Sequence, residues 1–411
     1  MKIKIRCLKK YCLFISCVIL VMSASSQDVK EESVVINVEV PVRVYQGNIF
    51  ISHLTKNDFE LYENGISQKI EAVYLVKKRA VERSEEERRF SPKTSRNYFL
   101  IFEITEYMTR LGEAVGYFYH NVLAPGDNLV IVTPLKTYQF NSEVLGFKSE
   151  GELVNELKYL LRLDAKKGSS EYTRLLVELE QLAQTIASQI DQTETIPTYS
   201  LKDENLLPLE KQLMKYSTLL RRVEKLRIVD QNKLLEFAKY LQDKEGQKYV
   251  FLFYQREFIP RLEHRILDQC MTLYQDKPNI LRMISHLFEA YNREISFNVD
   301  LVKRAFADSS ISIHFLFVSK PRRHISGVFM QEQSDDIFSA FRDMAEACGG
   351  FVGTSANPAY SFKQAVEASE NYYLLYYSPK NYKKDNAFKR IEVKVKNKDY
   401  KVKHRIGYFA D

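Results

Sequence analysis

The sequence contains no tryptophan, and its 411 residues include only 14 glycines, 11 prolines and 5 cysteines. Glycine and proline contents this low exclude a collagen-like or low-complexity chain, and five cysteines in this length exclude a disulfide framework. A mean hydropathy of −0.32 excludes a polytopic membrane protein. Hydrophobic residues make up 45% and charged residues 27%, which is ordinary for a globular protein. The length then predicts two or three domains.

Recognisable catalytic motifs are also lacking. No His-Glu-x-x-His pair, Gly-x-Ser-x-Gly elbow, phosphate-binding loop or dinucleotide fingerprint occurs in the sequence. His314 lies within an apolar run, and Cys348 precedes two glycines at the end of a helical pattern, so both are predicted to be packing residues. The sequence therefore predicts a protein that is not an enzyme and has no cofactor.

The N-terminus has the three-part pattern of a secretory signal peptide. Residues 1–10 carry five basic side chains and no acidic one, residues 11–22 are apolar, and residues 23–26 are small. We therefore predict a signal peptide over residues 1–26 and an exported protein that is periplasmic, on the cell surface or secreted. A retained anchor is the alternative, although a run of 12 apolar residues is short for a bilayer core of about 30 Å.

Removal of this segment changes both the charge and the cysteine content. The net charge of +7 becomes +2, because lysine plus arginine falls from 60 to 55 against 53 acidic residues. Nucleic acid is therefore not an expected partner of this exported, nearly neutral chain. Cys270 and Cys348 remain, and they either form one disulfide or stay as free thiols.

The pattern of apolar residues divides the mature chain into β and α/β regions. Alternation over residues 34–45 and the Asn64-Gly65 turn signal predict an N-terminal β region over 28–78. The charged side chains of residues 79–96 predict a solvated linker. Continuous apolar runs separated by helical patterns predict strands that are buried on both faces of a mainly parallel sheet. These runs are residues 98–102, 128–133, 249–254 and 311–318.

Two further segments complete the predicted architecture. Apolar residues recur every three or four positions between residues 175 and 223, which predicts a helical hairpin inserted over about 165–247. Strand alternation resumes at residues 391–395 and 400–404, so a β-hairpin is predicted within residues 370–411. We expect this C-terminal region to pack with the N-terminal β region as a small β-sandwich-like module.

Four ordered segments resemble the von Willebrand factor type A-related proteins abundant in Acidobacteria. They are VPVRVYQGNIFISHLTKNDFELYENGISQKI, NYFLIFEIT, DMAEACGGFV, and YYLLYYSPKN with the later FKRIEVKVKNKDYKVKHRIGY. The resemblance implies a Rossmann-like A-type domain, here residues 97–369, in which helices flank a mainly parallel sheet. It also implies a non-enzymatic role in protein–protein interaction or adhesion, in the cell envelope or outside it, with an unidentified protein partner.

The resemblance also implies a divalent-cation position at the carboxyl edge of the sheet, and this chain departs from the family pattern there. The family has an Asp-x-Ser-x-Ser motif, a loop threonine and a later aspartate. The matching positions are Glu103, Thr105, Tyr107, Ser170 and Gln255. A single carboxylate beside a phenol ring and Arg256 makes a poor ligand set for a hard cation. We predict a degenerate site without metal, in which Glu103 pairs with Arg256.

Basic residues are concentrated near the C-terminus. Residues 380–405 carry eleven lysines and arginines against three acidic residues. One interpretation is a surface that binds an anionic envelope polymer or lipid head groups. The other, which we favour, is that charge on the outer face of an edge hairpin prevents unwanted strand pairing. The hairpin positions are Lys389, Arg390, Lys394, Lys396, Lys398, Lys401, Lys403 and Arg405.

Overall fold

The computed structural model of this chain describes residues 36–140, 150–195, 208–290, 297–308, 311–380 and 382–410. Eighteen strands lie within these ranges. They are β1 (Val38–Gln46), β2 (Ile49–Phe50), β3 (Phe59–Glu63), β4 (Ile66–Gln68), β5 (Ile70–Lys77), β6 (Ala80–Glu86), β7 (Arg96–Glu103), β8 (Asn128–Val132), β9 (Thr137–Phe140), β10 (Gln247–Gln255), β11 (Phe258–Leu262), β12 (Ile311–Val318), β13 (Val328–Glu332), β14 (Val352–Ser355), β15 (Asn371–Tyr377), β16 (Phe388–Val395), β17 (Lys401–His404) and β18 (Gly407–Phe409).

Ten α-helices occur in the same described ranges and connect or cover these strands. They are α1 (Thr109–Asn121), α2 (Glu150–Gly168), α3 (Ser170–Thr195), α4 (Leu209–Leu226), α5 (Gln231–Gln242), α6 (His264–Leu273), α7 (Pro278–Ala290), α8 (Val299–Asp308), α9 (Asp335–Ala347) and α10 (Pro358–Glu370). A short 3₁₀ turn, Lys56–Asp58, precedes β3.

The central sheet has the strand order β14-β12-β10-β7-β8-β9. Its first five strands pair in parallel, and β9 pairs with β8 in the antiparallel sense. The rings of Phe102 on β7 and Phe253 on β10 stack with 4.7 Å between their centroids. Helices α1, α2 and α10 cover one face, and α5, α8 and α9 cover the other. Burial on both faces explains why these strands are continuously apolar.

The predicted fold class is wrong, because the chain is a mixed α/β structure with several antiparallel sheets. Parallel pairing is confined to the central sheet, and the other three sheets of the described residues contain antiparallel pairs alone. A mainly parallel, Rossmann-like architecture is therefore not what this chain adopts. The error arises because apolar runs report strands covered on both faces, whereas half-exposed antiparallel strands give a much weaker signal.

Strands from the two ends of the described chain interleave in two of the antiparallel sheets. One has the order β17-β1-β15-β5-β6, with β2 also on β1, and the other has the order β18-β16-β3-β4. Glu63 of β3 joins them, because its carboxylate accepts hydrogen bonds from Tyr377 and Tyr408 at 2.7 and 3.0 Å. The predicted C-terminal hairpin is wrong, since β16 pairs with β3 and β17 pairs with β1.

The segment predicted as a solvated linker, residues 79–96, contains an edge strand. β6 pairs antiparallel with β5, and Arg96 already belongs to β7. The side chains of β6 are mostly exposed, and its Glu82 pairs with Lys77 of β5 at 2.5 Å. The charged composition therefore indicated solvent exposure correctly. It gave no information on backbone pairing, because charged side chains are common on edge strands.

A second core lies among α3, α4, α6 and α7 and the two-stranded sheet formed by β11 and β13. Leu175, Leu179 and Ile186 of α3 are buried in it and pack with residues of α4. Tyr216 of α4 is also buried, and its hydroxyl donates a hydrogen bond to the carbonyl oxygen of Pro260 at 2.9 Å. This bond fixes α4 against β11, so the helices and the small sheet form one packed layer.

Cys270, Cys348 and His314 are buried, and their reactive groups are not accessible to solvent. Cys270 and Cys348 are free thiols, and burial raises the pKa of Cys270 to about 11 and that of Cys348 to about 12. Both are therefore protonated and unreactive at neutral pH. His314 stacks on Phe251 with 4.7 Å between ring centroids, and its Nδ1 accepts a hydrogen bond from the amide of Phe351. Burial lowers the pKa of His314 well below its usual value.

Candidate functional site

The carboxyl ends of β7, β10 and β12 meet at one edge of the central sheet. β10 lies between the other two strands in parallel register, with Tyr254 beside Glu103. The loop after β7, residues 104–108, leads from this edge into α1, and it is contacted by Ser169 at the junction of α2 and α3. Edges of this kind are where parallel sheets place their binding residues. The predicted metal positions can therefore be compared here with the geometry that the structure gives them.

The side-chain amide of Gln255 connects β10 to the loop after β7. Its Oε1 accepts hydrogen bonds from the backbone nitrogen and hydroxyl of Thr105, both at 3.0 Å, and from the nitrogen of Glu106 at 2.9 Å. Its Nε2 donates to the carbonyl of Glu106 at 3.3 Å, and the side chain is buried. This oxygen is engaged by three donors and carries no charge, so it is poorly suited to a dehydrated divalent cation.

Ser169, rather than the predicted Ser170, faces this cluster. The hydroxyl of Ser169 lies 2.7 Å from the carbonyl oxygen of Thr105 and 2.6 Å from that of Ala165. The hydroxyl of Ser170 is exposed and donates to the carbonyl of Lys167 at 2.7 Å. The assignment of Ser170 is therefore corrected by one residue. A hydroxyl that bonds to two carbonyl oxygens acts as a donor and fastens the loop to the helix junction.

Tyr107 and Arg256 both point away from the Gln255 amide. The Tyr107 hydroxyl lies over Gly112 of α1, so close that a Cβ there would be 2.5 Å from it. Arg256 pairs with Glu332 at 3.0 Å, and its guanidinium lies 5.3 Å from the ring centroid of Phe317. The predicted pair between Glu103 and Arg256 is therefore wrong. Among the described residues no group of three or more histidine, cysteine or acidic side chains could hold a metal ion.

Glu103 lies apart from this cluster, on the wall of a cavity of about 530 Å³ below the sheet edge. In the described part of the chain, its carboxylate has neither a hydrogen-bond partner nor an ion-pair partner. The Glu103 side chain is nevertheless exposed, because the cavity is open to solvent. The many protein atoms packed around this open cavity partly desolvate Glu103 and, with the nearby charge of Glu257, raise its pKa to about 7.

A largely buried ion pair also lines this cavity. Arg227, at the end of α4, pairs with Glu257, which follows β10. The two terminal nitrogens of Arg227 also donate to the side-chain and backbone oxygens of Gln333, at 2.9 and 2.5 Å. Its charge is therefore fully engaged. Burial, and then the charge of Glu257, raises the pKa of the adjacent Tyr254 well above its usual value.

Removing the charge of Glu103 is expected to stabilise the protein at high pH. Because its pKa is raised from 4.5 to about 7 on folding, the folded state binds the proton more tightly, and stability falls as pH rises from 4.5 through 7. Glu103→Gln should therefore raise the free energy of unfolding by about 1–2 kcal/mol at pH 8, a value reduced for water screening. At pH 4.5 the variant and the parent should be equally stable in urea titrations. Equal stability at both pH values would contradict the raised pKa.

The residues that complete the cavity and the cluster were not identified from the sequence. Ser169 directly precedes the predicted Ser170. Which of the two hydroxyls faces the loop depends on how the chain turns between α2 and α3. Arg227 and Glu257 belong to no local motif and come together only because α4 ends beside the end of β10. No local sequence pattern predicts this pair, because it forms only in the tertiary structure.

The basic C-terminal positions do not form a single surface. Arg405 is buried and donates to the carbonyl oxygens of Asp308 and Glu39, at 3.0 and 2.6 Å. Lys403 donates to the carbonyl of Gly350 at 3.2 Å.

Lys389 pairs with Asp385 at 2.8 Å, and Lys394 pairs with Glu392 at 3.2 Å. The remaining four positions are exposed, and they are Arg390, Lys396, Lys398 and Lys401. They are distributed over β16, β17 and the connection between these strands, in two different sheets.

Comparison with known proteins leaves this chain without an assigned family. Neither a family model nor a curated protein matches the sequence. One solved structure that is similar is the crystal structure of the human COPII-coat protein Sec24c, at 8% identity and a TM-score of 0.28. The similarity covers 77% of this chain and 44% of that one, so this chain spans less than half the length of Sec24c. A likeness this weak carries no argument about fold or function.

The predicted signal peptide, residues 1–26, lies outside the described residues, so export stays a prediction. Across the ranges that the structure does describe, no helix is both long enough and apolar enough to cross a membrane.

Proposed function

We propose that this chain is an exported, non-enzymatic interaction protein that binds a partner protein without using a divalent cation. The observation that carries the proposal is the Gln255 amide, which holds the loop after β7 through four hydrogen bonds. A loop fixed in this way presents a preformed surface, and preformed surfaces lose less conformational entropy on binding. The resemblance of four segments to von Willebrand factor type A-related proteins supports the same role, and membership of that family is part of the proposal.

A groove beside this loop supplies the binding surface. It has a volume of about 780 Å³ and lies between the loop, the end of α2 and the start of α3. Arg162 and Lys166 lie one helical turn apart on α2, and both are exposed on the groove wall. Of the two acidic side chains on the wall, Glu106 pairs with Lys320 and Glu178 lies 3.6 Å from Arg174. The free charge of the groove is therefore positive, which fits an acidic segment of the partner.

Charge reversal on α2 tests this proposal. Arg162→Glu/Lys166→Glu should abolish capture of a partner by a photo-cross-linker placed at Val177, an exposed residue of the groove. The matched control is Arg221→Glu/Lys225→Glu, the same charge change at the same spacing on the exposed face of α4. We expect the parent and the control to cross-link to one acidic protein from the producing cells, identified by mass spectrometry.

Chelation of metal ions provides the second arm of this experiment. Cross-linking in EDTA and in millimolar Mg²⁺ should give the same yield, because no step of the proposed binding uses a cation. A requirement for Mg²⁺, or an unchanged yield with the charge-reversed variant, would show that the proposal is wrong. Export is tested separately, by the N-terminal sequence of the protein recovered from fractionated cells.

A further inference from the structure

The cavity that Glu103 faces has the size and lining of a small-molecule site. Its volume of about 530 Å³ falls within the range of roughly 300–1,000 Å³ that is usual for ligand pockets. The deeper wall is apolar and is built from both the central strands and the helices that cover them. Its apolar residues include Val250, Leu252, Phe306, Ile313, Phe341 and Met344. A ligand could therefore bury an apolar body against the sheet.

At pH 8, above the Glu103 pKa of about 7, the polar end of the cavity is negatively charged. Arg227 is neutralised by Glu257, and at the rim Lys233 lies 3.9 Å from Asp230. Glu171, also on the wall, lies 3.3 Å from Arg222, so these three pairs leave Glu103 as the carboxylate that faces the cavity without a basic partner among the described residues. Because Glu103 is open to solvent yet borders an apolar wall, a ligand that covers the wall would also remove water from the carboxylate, and such a ligand gains most if it brings a positive charge and N–H donors.

We propose that this cavity binds a monovalent organic cation with an apolar body, an alkylammonium or arylammonium compound, whose ammonium group pairs with Glu103. An anionic ligand would be repelled by the charge of Glu103, because the charge of Glu257 is already balanced by Arg227. A neutral ligand of the same shape would fill the apolar part and leave Glu103 unpaired. The cavity shares Thr105 and Ser169 with the groove on α2, but Glu103 lines the cavity and not the groove, so the inference is tested independently of the proposed partner protein.

Binding of butyl-, hexyl- and octylammonium to the purified protein, measured by isothermal titration calorimetry, tests this inference. If the chain enters the apolar part, affinity should rise roughly fourfold for each added methylene group. Octylammonium should bind at least tenfold more tightly than octanol, and octanoate should bind more weakly than either. Equal binding of octylammonium, octanol and octanoate would overturn the proposal, as would the absence of any binding.

Two glutamate variants separate the cavity from general surface charge. Glu103→Gln should weaken octylammonium binding by roughly ten- to a hundredfold, because it removes a charge-assisted hydrogen bond. It should leave the weaker binding of octanol unchanged, which also shows that the cavity is intact. The control is Glu236→Gln, an exposed residue of α5, the helix that contributes Leu234 and Phe237 to the cavity wall. Unchanged octylammonium binding in Glu103→Gln, or an equal loss in Glu236→Gln, would disprove the assigned role of Glu103.

Discussion

Asp127→Asn is expected to lower the free energy of unfolding by about 3–5 kcal/mol, the cost of leaving one member of a buried ion pair alone. Arg96 and Asp127 are both buried, with Arg96 Nη2 2.6 Å from one carboxylate oxygen and Nε 3.2 Å from the other. Arg96 begins β7, and Asp127 directly precedes β8. The pair therefore joins the starts of two neighbouring central strands, and asparagine would keep the volume while leaving the guanidinium charge unbalanced.

Other contacts of the two side chains make this loss hard to repair. Arg96 also donates to the carbonyl of Val122 at 2.9 Å, and Asp127 accepts from the amide of Ala124 at 2.9 Å. The side chains of Arg96 and Asp127 therefore stabilise the turn between α1 and β8. Neither side chain can become solvent-exposed without disrupting that turn. Arg79, which lies 3.8 Å from Asp127, is a second cation, so it would also lose its partner and could not replace the missing carboxylate.

An exposed pair close by provides the control for urea unfolding measurements. Lys93 and Glu245 are also 2.7 Å apart, but their side chains are 59% and 79% exposed. Glu245→Gln should therefore leave the urea unfolding curve almost unchanged, because water screens an exposed pair. Replacing both members, as in Arg96→Met/Asp127→Asn, should cost less than the sum of the single changes. A loss below about 1 kcal/mol for Asp127→Asn would mean that the pair is effectively solvated.

The sequence located the central strands well, and the reason is physical. Residues 98–102, 128–133, 249–254 and 311–318 are predominantly apolar, and they lie within or overlap β7, β8, β10 and β12. Helices cover both faces of these strands, so every position is selected for burial. Arg96 and Asn97 are buried at the start of β7 even so. Polar residues of this kind lie just outside the apolar run, which is why the linker was predicted to extend too far.

Strand pairing at the two ends of the chain was not predictable in the same way. β16 and β17 both alternate apolar and charged residues, and a short connection separates them, which is the usual signature of a hairpin. Alternation fixes which face of a strand is buried but does not select its neighbour. The choice is made by distant contacts, such as the Tyr377 and Tyr408 hydroxyls on Glu63, which no local pattern records.

The candidate site also contains some residues that the sequence predicted and others that it did not. Thr105 and Gln255 were assigned from the resemblance to the A-type metal motif, and the structure brings them within hydrogen-bond distance. Glu103 was identified as well, but its surroundings were not, since the cavity and the Arg227–Glu257 pair are assembled from separate elements. A sequence motif can therefore name a carboxylate at a sheet edge. It cannot state whether that carboxylate faces a cation, an arginine or an empty cavity.

Gly350→Ala is expected to lower the free energy of unfolding by about 3 kcal/mol or more, and it can prevent folding altogether. A Cβ at Gly350 would lie 1.7 Å from the carbonyl oxygen of Ile313 and 2.6 Å from its carbonyl carbon. Both are backbone atoms of β12, a strand buried along its whole length, so no side-chain rotation relieves the clash. The preceding Gly349 has a φ of +69°, which any other residue adopts at a cost of about 1–2 kcal/mol.

The Gly349-Gly350 pair is required because three parts of the fold approach their backbone there. Arg43 of β1 donates to the carbonyl of Gly349, and Lys403 of β17 donates to that of Gly350, both at 3.2 Å. The matched control is Gly151→Ala in α2, where a Cβ meets nothing within 4 Å. That change should stabilise the protein by about 0.5–1 kcal/mol, because alanine favours the helix. If Gly350→Ala were tolerated as well as Gly151→Ala in thermal unfolding, the close contact between the end of α9 and β12 could not exist as described.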